Sequence, residues 1–131
     1  MIDLEQDIFN ALYSDVSPLC AKNGFRSVHT PAPTALPTAT LFEMDNRTTR
    51  DLRSSNTQEE YATVTYEAHV YAQSKSECRK VFAALDEGMT RRNFNRFSGA
   101  YTPNLANTKV HEYVARYQAI VDRAGNIYRR S

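Results

Sequence analysis

The side chains best suited to chemistry in this sequence are three histidines, His29, His69 and His111, each in a segment that predicts a β-strand. If the strands that carry His69 and His111 pair, the two imidazoles could approach each other beside Glu67 or Glu112. A metal site or an acid–base pair would use these groups. Because such a site needs one particular register, ordinary strand histidines are the favoured interpretation, and an enzyme that uses His69 and His111 is kept as an alternative.

Other catalytic patterns are missing from the sequence. The four glycines are isolated, so there is no phosphate-binding loop, and no CxxC, HExxH or HxH spacing occurs. Cys20 and Cys78 are far apart, which fits two free thiols in a reducing compartment. Asp86 and Glu87 are adjacent on a predicted helix and therefore point about 100° apart. The sequence predicts a protein that is not an enzyme and that uses no cofactor or metal.

One short segment alternates basic and aromatic residues, and it contains Arg91, Arg92, Phe94, Arg96 and Phe97. Arginines between phenylalanines suit phosphate contact combined with base stacking, as in a small nucleic-acid-binding module. The favoured interpretation is that both phenylalanines join the core, while the arginines end the preceding helix, where cations complement its dipole.

The composition describes one ordinary domain of 131 residues with a net charge of +1. Its apolar fraction of 41% is enough for a core, and it has no apolar run long enough to span a membrane. The acidic start lacks the order of a signal peptide, so we expect a soluble cytosolic protein. Residues 1–60 carry a net charge of −4 and residues 61–131 a net charge of +5. This asymmetry is compatible with subunits that meet head to tail, and equally with chance.

The secondary structure follows from hydrophobic periodicity. Tyr61–Ala72 alternates strictly, which predicts a half-buried antiparallel strand with its even-numbered residues on the apolar face. Ser74 and Glu77 predict a capping box for the helix that follows. The buried residues of that helix are predicted to be Cys78, Val81, Phe82, Leu85 and Met89.

The remaining elements are a first helix and several further strands. Leu4, Ile8, Ala11 and Leu12 share one face of the first helix. Further strands are predicted over 25–30, 39–44, 94–99, 110–122 and 127–130, with a proline-rich connection after the first of them, a loop over 102–107 and a hairpin turn at Gly125. The order predicts a single α+β domain over residues 1–131, a mostly antiparallel sheet with two helices packed on one face.

A polar segment over 45–58 interrupts this pattern. It contains one large apolar residue in fourteen, so it predicts a long, mobile loop between two strands. Arg47, Arg50 and Arg53 recur in it at every third residue. The loop is either simply solvated or becomes ordered when it meets a partner.

Several segments, taken in order, resemble a known family. They are Asn23-Gly24-Phe25, the stretches 40–46 and 65–72, Leu85-Asp86-Glu87-Gly88-Met89, Pro103-Asn104, and 114–122 with the tail 127–130. Together these resemble the small tail terminator (tail completion) proteins of long-tailed bacteriophages and prophages, and the resemblance covers nearly the whole chain.

The resemblance implies a subunit of a six-membered ring in the virion, assembled in the host cytoplasm. The ring caps the tail tube, stops its polymerisation, and offers a surface to the neck or head-completion protein, while DNA passes through without specific binding. It implies no catalytic residue, cofactor or membrane. The loop with Arg47, Arg50 and Arg53 resembles a segment that orders on assembly, and the basic tail resembles an edge open to a neighbour. The possible subunit or partner contacts are Arg91, Arg92, Arg96, Arg129 and Arg130.

Three alternatives remain open at this point. A neck stopper, an adaptor or a tail tube subunit would keep the chain in the virion at another position. A small nucleic-acid-binding α+β module would use the Arg91–Phe97 segment instead. The third alternative is the enzyme with paired histidines.

Overall fold

The long alternating strand predicted over Tyr61–Ala72 forms the middle of a six-stranded sheet. The structure is a computed structural model, and it describes residues 3–21, 24–27, 35–48, 61–103, 110–122 and 124–129. Of Thr48, Pro103 and Arg129 only the backbone is described. The elements within these ranges are α1 (Glu5–Val16), β1 (Phe25–Arg26), β2 (Thr38–Thr48), β3 (Tyr61–Ala72), α2 (Lys75–Arg91), β4 (Asn95–Pro103), β5 (His111–Asp122) and β6 (Ile127–Arg129).

The sheet is antiparallel except at one edge. Its order is β1-β2-β3-β5-β4, and β6 pairs with the end of β5. β3 and β5 pair along their full length, from Tyr61 opposite Asp122 to Ala72 opposite His111. Only the short β1 runs parallel to its neighbour, β2. The prediction of an α+β domain with a mostly antiparallel sheet is confirmed.

Both helices pack on the same face of the sheet. α1 contributes Ile8, Leu12 and Val16 to the core, and α2 contributes the buried residues Cys78, Val81, Leu85, Gly88 and Met89. The sheet contributes the even-numbered residues of β3 and the alternate residues Ala115, Tyr117, Ala119 and Val121 of β5. The predicted apolar face of β3 is therefore confirmed, and that of α1 is confirmed for Ile8 and Leu12, while Leu4 and Ala11 are partly exposed.

The start of α2 is fixed as the sequence predicts. The Glu77 backbone N–H donates to Ser74 Oγ at 3.2 Å, and the Glu77 carboxylate accepts the N–H of Gln73 at 3.3 Å. At the other end, Asn93 adopts a left-handed conformation with φ 67°, and its amide donates to the Ile127 carbonyl at 2.9 Å. The helix end is thereby connected to β6.

The predicted strand ends are wrong at three places. β2 continues to Thr48, so residues 45–48 of the predicted loop are strand, and 49–58 lie outside the described residues. β4 continues to Pro103, where a loop was predicted. The reason is the same in both cases: backbone pairing with a long neighbour continues after the apolar alternation has ended. In the first strand only Phe25–Arg26 pair, and residues 28–30 lie outside the described residues.

Two burial predictions also need correction. Phe82 is only half-buried, because it lies at the side of α2 and packs on Tyr113 with ring centroids 4.2 Å apart. The second face of β3 is not exposed throughout, since Thr65, His69 and Tyr71 are buried there. Within the described residues, neither helix has the length and apolar character needed to cross a membrane.

The contact between the helices is set by Gly88, which the sequence analysis did not single out. Gly88 is buried where α2 meets α1, and a Cβ atom built on it would overlap the Leu12 side chain, which is itself fully buried. The glycine therefore allows α1 to approach α2 closely.

We expect Gly88→Ala to lower the free energy of unfolding by about 1–3 kcal/mol, although alanine is the better helix former. Thermal and urea unfolding measure the change. In a Leu12→Ala background, where the space is vacated, the same substitution should be neutral or stabilising. A higher melting temperature for Gly88→Ala in the otherwise unaltered chain would contradict this packing.

Candidate functional site

His69 lies on the sheet face away from the helices, and both of its ring nitrogens contact carboxylates. Nδ1 is 2.9 Å from Glu112 Oε2, and Nε2 is 2.6 Å from Glu67 Oε1. Both contacts are hydrogen bonds when both nitrogens carry a proton. Because Glu67 lies on the same strand as His69 and Glu112 lies on β5, His69 links β3 to β5.

The approach of His69 to His111 that the enzyme alternative requires does not occur. His111 lies opposite Ala72, whereas His69 lies opposite Val114. Because side chains alternate along a strand, His69 and His111 project from opposite faces of the sheet. His29 lies outside the described residues. Within the described ranges, no group of three His, Cys, Asp or Glu side chains is arranged to hold a metal ion.

The charges around His69 are balanced across the two central strands. Arg116 Nε donates to Glu67 Oε2 at 3.0 Å. Burial raises the pKa of Glu67, but the hydrogen bonds from His69 and Arg116 outweigh it and hold the pKa below its usual value. With a protonated imidazole, two cations and two anions cancel, which makes the partly buried network tolerable.

The two thiols are poorly suited to reaction. Burial raises the pKa of Cys20 and of Cys78 to about 11 each. The reactive thiolate is therefore scarce at neutral pH. Cys78 lies in the core, as the sequence predicts, and its Sγ lies 3.6 Å from the Val70 carbonyl oxygen.

The Arg91–Phe97 segment divides between the core and the surface. Phe94 is buried and packs edge-on against Tyr66, with centroids 5.3 Å apart, whereas Phe97 is 50% exposed. The core interpretation is thus right for Phe94 and wrong for Phe97. Arg92 donates to the carbonyls of Gly88 and Ala11, at 3.0 and 3.3 Å, and so connects the two helices.

The other predicted contact residues are distributed over several elements. Arg91 is 3.6 Å from Asp15 and 3.8 Å from Glu87 on the helix surface. Arg47 lies in β2 rather than in a loop, and its 79% exposed side chain is 2.7 Å from Asp45. The backbone of Arg129 belongs to β6. Arg50, Arg53 and Arg130 lie outside the described residues.

β4 is an open edge of the sheet. Among the described residues it pairs only with β5, and the side chains of residues 95–102 are all exposed. Phe97 and Tyr101 are the large apolar residues on it. An exposed strand of nine residues is a place where another chain readily associates.

Three cations lie beside this edge, and we call β4 with Lys75, Arg79 and Arg96 the basic edge. Lys75 and Arg79 each lie 5.7 Å from the Tyr101 ring, and Arg79 Nε donates to the Tyr101 hydroxyl at 2.8 Å. Arg96 lies 5.4 Å from the Phe82 ring and 3.8 Å from Asp86. Lys75 and Arg79 form no ion pair with a described residue.

Acidic side chains gather at the other end of the sheet, and we call Asp3, Glu5 and Glu43 the acidic corner. Glu5 Oε2 accepts the backbone N–H of Glu43 at 2.6 Å, and Asp3 Oδ1 accepts the N–H of Glu5 at 3.3 Å. These contacts place the start of α1 beside β2. None of the three carboxylates forms an ion pair with a cation in the described ranges.

Tyr66 points into the acidic corner from the core. It lies opposite Glu43 in the sheet and is 1% exposed, and its hydroxyl faces the Glu43 carboxylate. Burial, and next the charge of Glu43, raise its pKa. Burial and the charge of Glu5 likewise raise the pKa of Glu43 to about 7. The corner therefore holds acid groups that no cation of the described ranges neutralises.

One signal for this corner was present in the sequence. Glu43 continues the inward alternation of Ala39 and Leu41, so this pattern could have indicated an acid at the margin of the core, although it was not used. The nearness of Asp3 and Glu5 could not be anticipated, because it depends on where α1 crosses β2.

The raised pKa of Glu43 predicts a pH-dependent stability. The folded chain holds this proton up to about pH 7, whereas the ordinary value is 4.5, so the stability falls as pH rises from 4.5 to 7. We expect Glu43→Gln to be more stable than the unaltered chain by about 1–2 kcal/mol at pH 8, after allowance for solvent screening, and equally stable at pH 4.5. Urea unfolding at both pH values measures the difference.

Glu87→Gln is the matched control, because the Glu87 side chain is 71% exposed. Its free energy of unfolding should differ from that of the unaltered chain by the same amount at both pH values. A difference in free energy of unfolding between Glu43→Gln and the unaltered chain that does not change with pH would contradict the raised pKa of Glu43.

No protein-family model matches this chain, and no curated protein matches it significantly.

Proposed function

We propose that the chain is a bacteriophage structural protein, a tail terminator that forms a ring on the tail tube, stops its polymerisation and provides the surface for head joining. The sequence resemblance suggests this identity. The observation that carries an assembly role is the open basic edge, in which nine residues of β4 have no partner strand on their outer side among the described residues. Such an edge on a firmly packed sheet suits association with another protein.

The partners under this proposal are further copies of the chain, the tail tube protein and a neck or head-completion protein. DNA would pass through the ring without specific binding. A net charge of +1 suits this passage, because a strongly basic bore would retain phosphate. The site of action is the virion, after assembly in the host cytoplasm.

Other positions in the particle remain alternatives within this proposal, namely a neck stopper, an adaptor or a tail tube subunit. A small nucleic-acid-binding module has weaker support, since Phe94 is buried and Arg92 is engaged by two carbonyls. Of that segment, Phe97 and Arg96 lie on the basic edge, where they serve protein contact equally well.

Disruption of the gene in its phage or prophage tests the proposal, with tail lengths measured by electron microscopy. We expect overlong tails without heads. Tails of normal length on unjoined particles would place the protein in the neck, and normal infectious particles would refute a structural role.

The arginines of the predicted assembly loop give a second test. Replacing Arg47, Arg50 and Arg53 together with Ala should leave the melting temperature nearly unchanged, because the exposed Arg47–Asp45 pair contributes less than about 1 kcal/mol. The yield of normal particles should fall. Lys80→Ala, at an exposed position of α2, should leave both quantities unchanged. A normal yield from the triple variant would contradict an assembly role for these arginines.

A further inference from the structure

The sheet carries two irregularities of the same kind at different strands. The register of β2 shifts between Glu43 and Asp45, so Met44 has no opposite residue on β3, and it is 44% exposed. The register of β4 shifts between Arg96 and Ser98, so Phe97 has no opposite residue on β5. Bulges of this type redirect side chains at sheet edges. Each one here exposes a large apolar residue.

The charges beside the two bulges are opposite. Met44 follows Glu43 of the acidic corner, and Phe97 follows Arg96 of the basic edge. The strand order β1-β2-β3-β5-β4 separates the two bulges by two strands. Neighbouring strands are about 4.8 Å apart, so the bulges are roughly 14 Å apart and do not meet within one chain.

We propose that the basic edge of one copy docks on the acidic corner of a second copy. Phe97 contacts Met44 of the neighbour, and Lys75, Arg79 and Arg96 face the neighbour's Asp3, Glu5 and Glu43. Only the closure of this contact into a ring rests on the proposed function; the contact itself rests on the two surfaces.

Charge and packing both select a second copy as the occupant. The acidic corner has three carboxylates without a cation in the described ranges. Lys75 and Arg79 form no ion pair with any carboxylate that the structure describes. A thioether against an aromatic ring adds a favourable apolar contact between the charged groups.

The two surfaces differ from each other, so the contact is head to tail. In such a contact each copy uses its basic edge toward one neighbour and its acidic corner toward the other. Repetition gives a ring if the rotation closes and a filament if it does not. A contact of the basic edge with a second basic edge, or of the acidic corner with a second acidic corner, would instead place like charges together, which is unfavourable.

Charge exchange between two variants tests this contact. Lys75→Glu with Arg79→Glu makes both surfaces acidic, and Asp3→Lys with Glu5→Lys makes both surfaces basic. By sedimentation velocity from about 10 µM to about 1 mM, we expect the unaltered chain to self-associate and each double variant alone to remain monomeric. An equimolar mixture of the two should associate, because every contact in it again joins opposite charges.

Three controls guard the interpretation. Lys80→Glu makes the same kind of charge reversal on a different side of α2, at an exposed position, and it should associate like the unaltered chain. Asp3→Asn with Glu5→Gln replaces the lysine variant if that variant misfolds, because it keeps an acceptor for the Glu43 N–H. It should weaken association about tenfold. Phe97→Ser should weaken it at least as much, with little change in the melting temperature.

The proposed contact is wrong if the unaltered chain stays monomeric at 1 mM, if either folded charge-reversed variant still associates alone, or if the mixture stays monomeric. These results are separate from the gene disruption. Overlong tails on disruption together with self-association of the reversed variants would retain the terminator and reject this interface. Normal particles on disruption, together with restored association in the mixture, would retain this interface and reject the terminator.

Discussion

The pairing of β3 with β5 is the constraint on which the rest of the structure depends. Twelve residues of each strand lie opposite one another, and the alternate residues on one side form an apolar face that both helices cover. Because these two strands fill the middle of the sheet, β2 and β4 must lie on either side of them. α1 then begins beside β2, and α2 begins beside β4. The different chemistry of the two ends follows from this arrangement.

The fold could be predicted where a side-chain pattern determines it. Alternation in Tyr61–Ala72 and the Ser74 cap identified the central strand and the second helix correctly. The strand ends could not be predicted in this way, since β2 and β4 extend through polar residues such as Asn46 and Thr102. Backbone hydrogen bonds to a long neighbouring strand stabilise these residues, and they leave no hydrophobic periodicity in the sequence.

The candidate site was less predictable, because it depends on register and on single-residue bulges. A shift of one residue in the pairing decides which face of the sheet a side chain occupies. In the observed register His69 and His111 lie on opposite faces. Met44 and Phe97 are exposed through bulges that no alternating pattern reveals. The nearness of Asp3 to Glu43 likewise arises from tertiary packing rather than from sequence spacing.

The uneven charge of the sequence acquires a meaning once the chain is folded. If residues 1–60 and 61–131 interleaved throughout the fold, their charges would be mixed. At the acidic corner and the basic edge they remain separate. The acidic corner comes entirely from the first 60 residues, and the three cations of the basic edge come from the remainder. An isolated chain therefore keeps like charges together at each end, and these charges repel one another. In the proposed contact unlike ends meet and this repulsion is relieved, so the charges would also direct how the chains join.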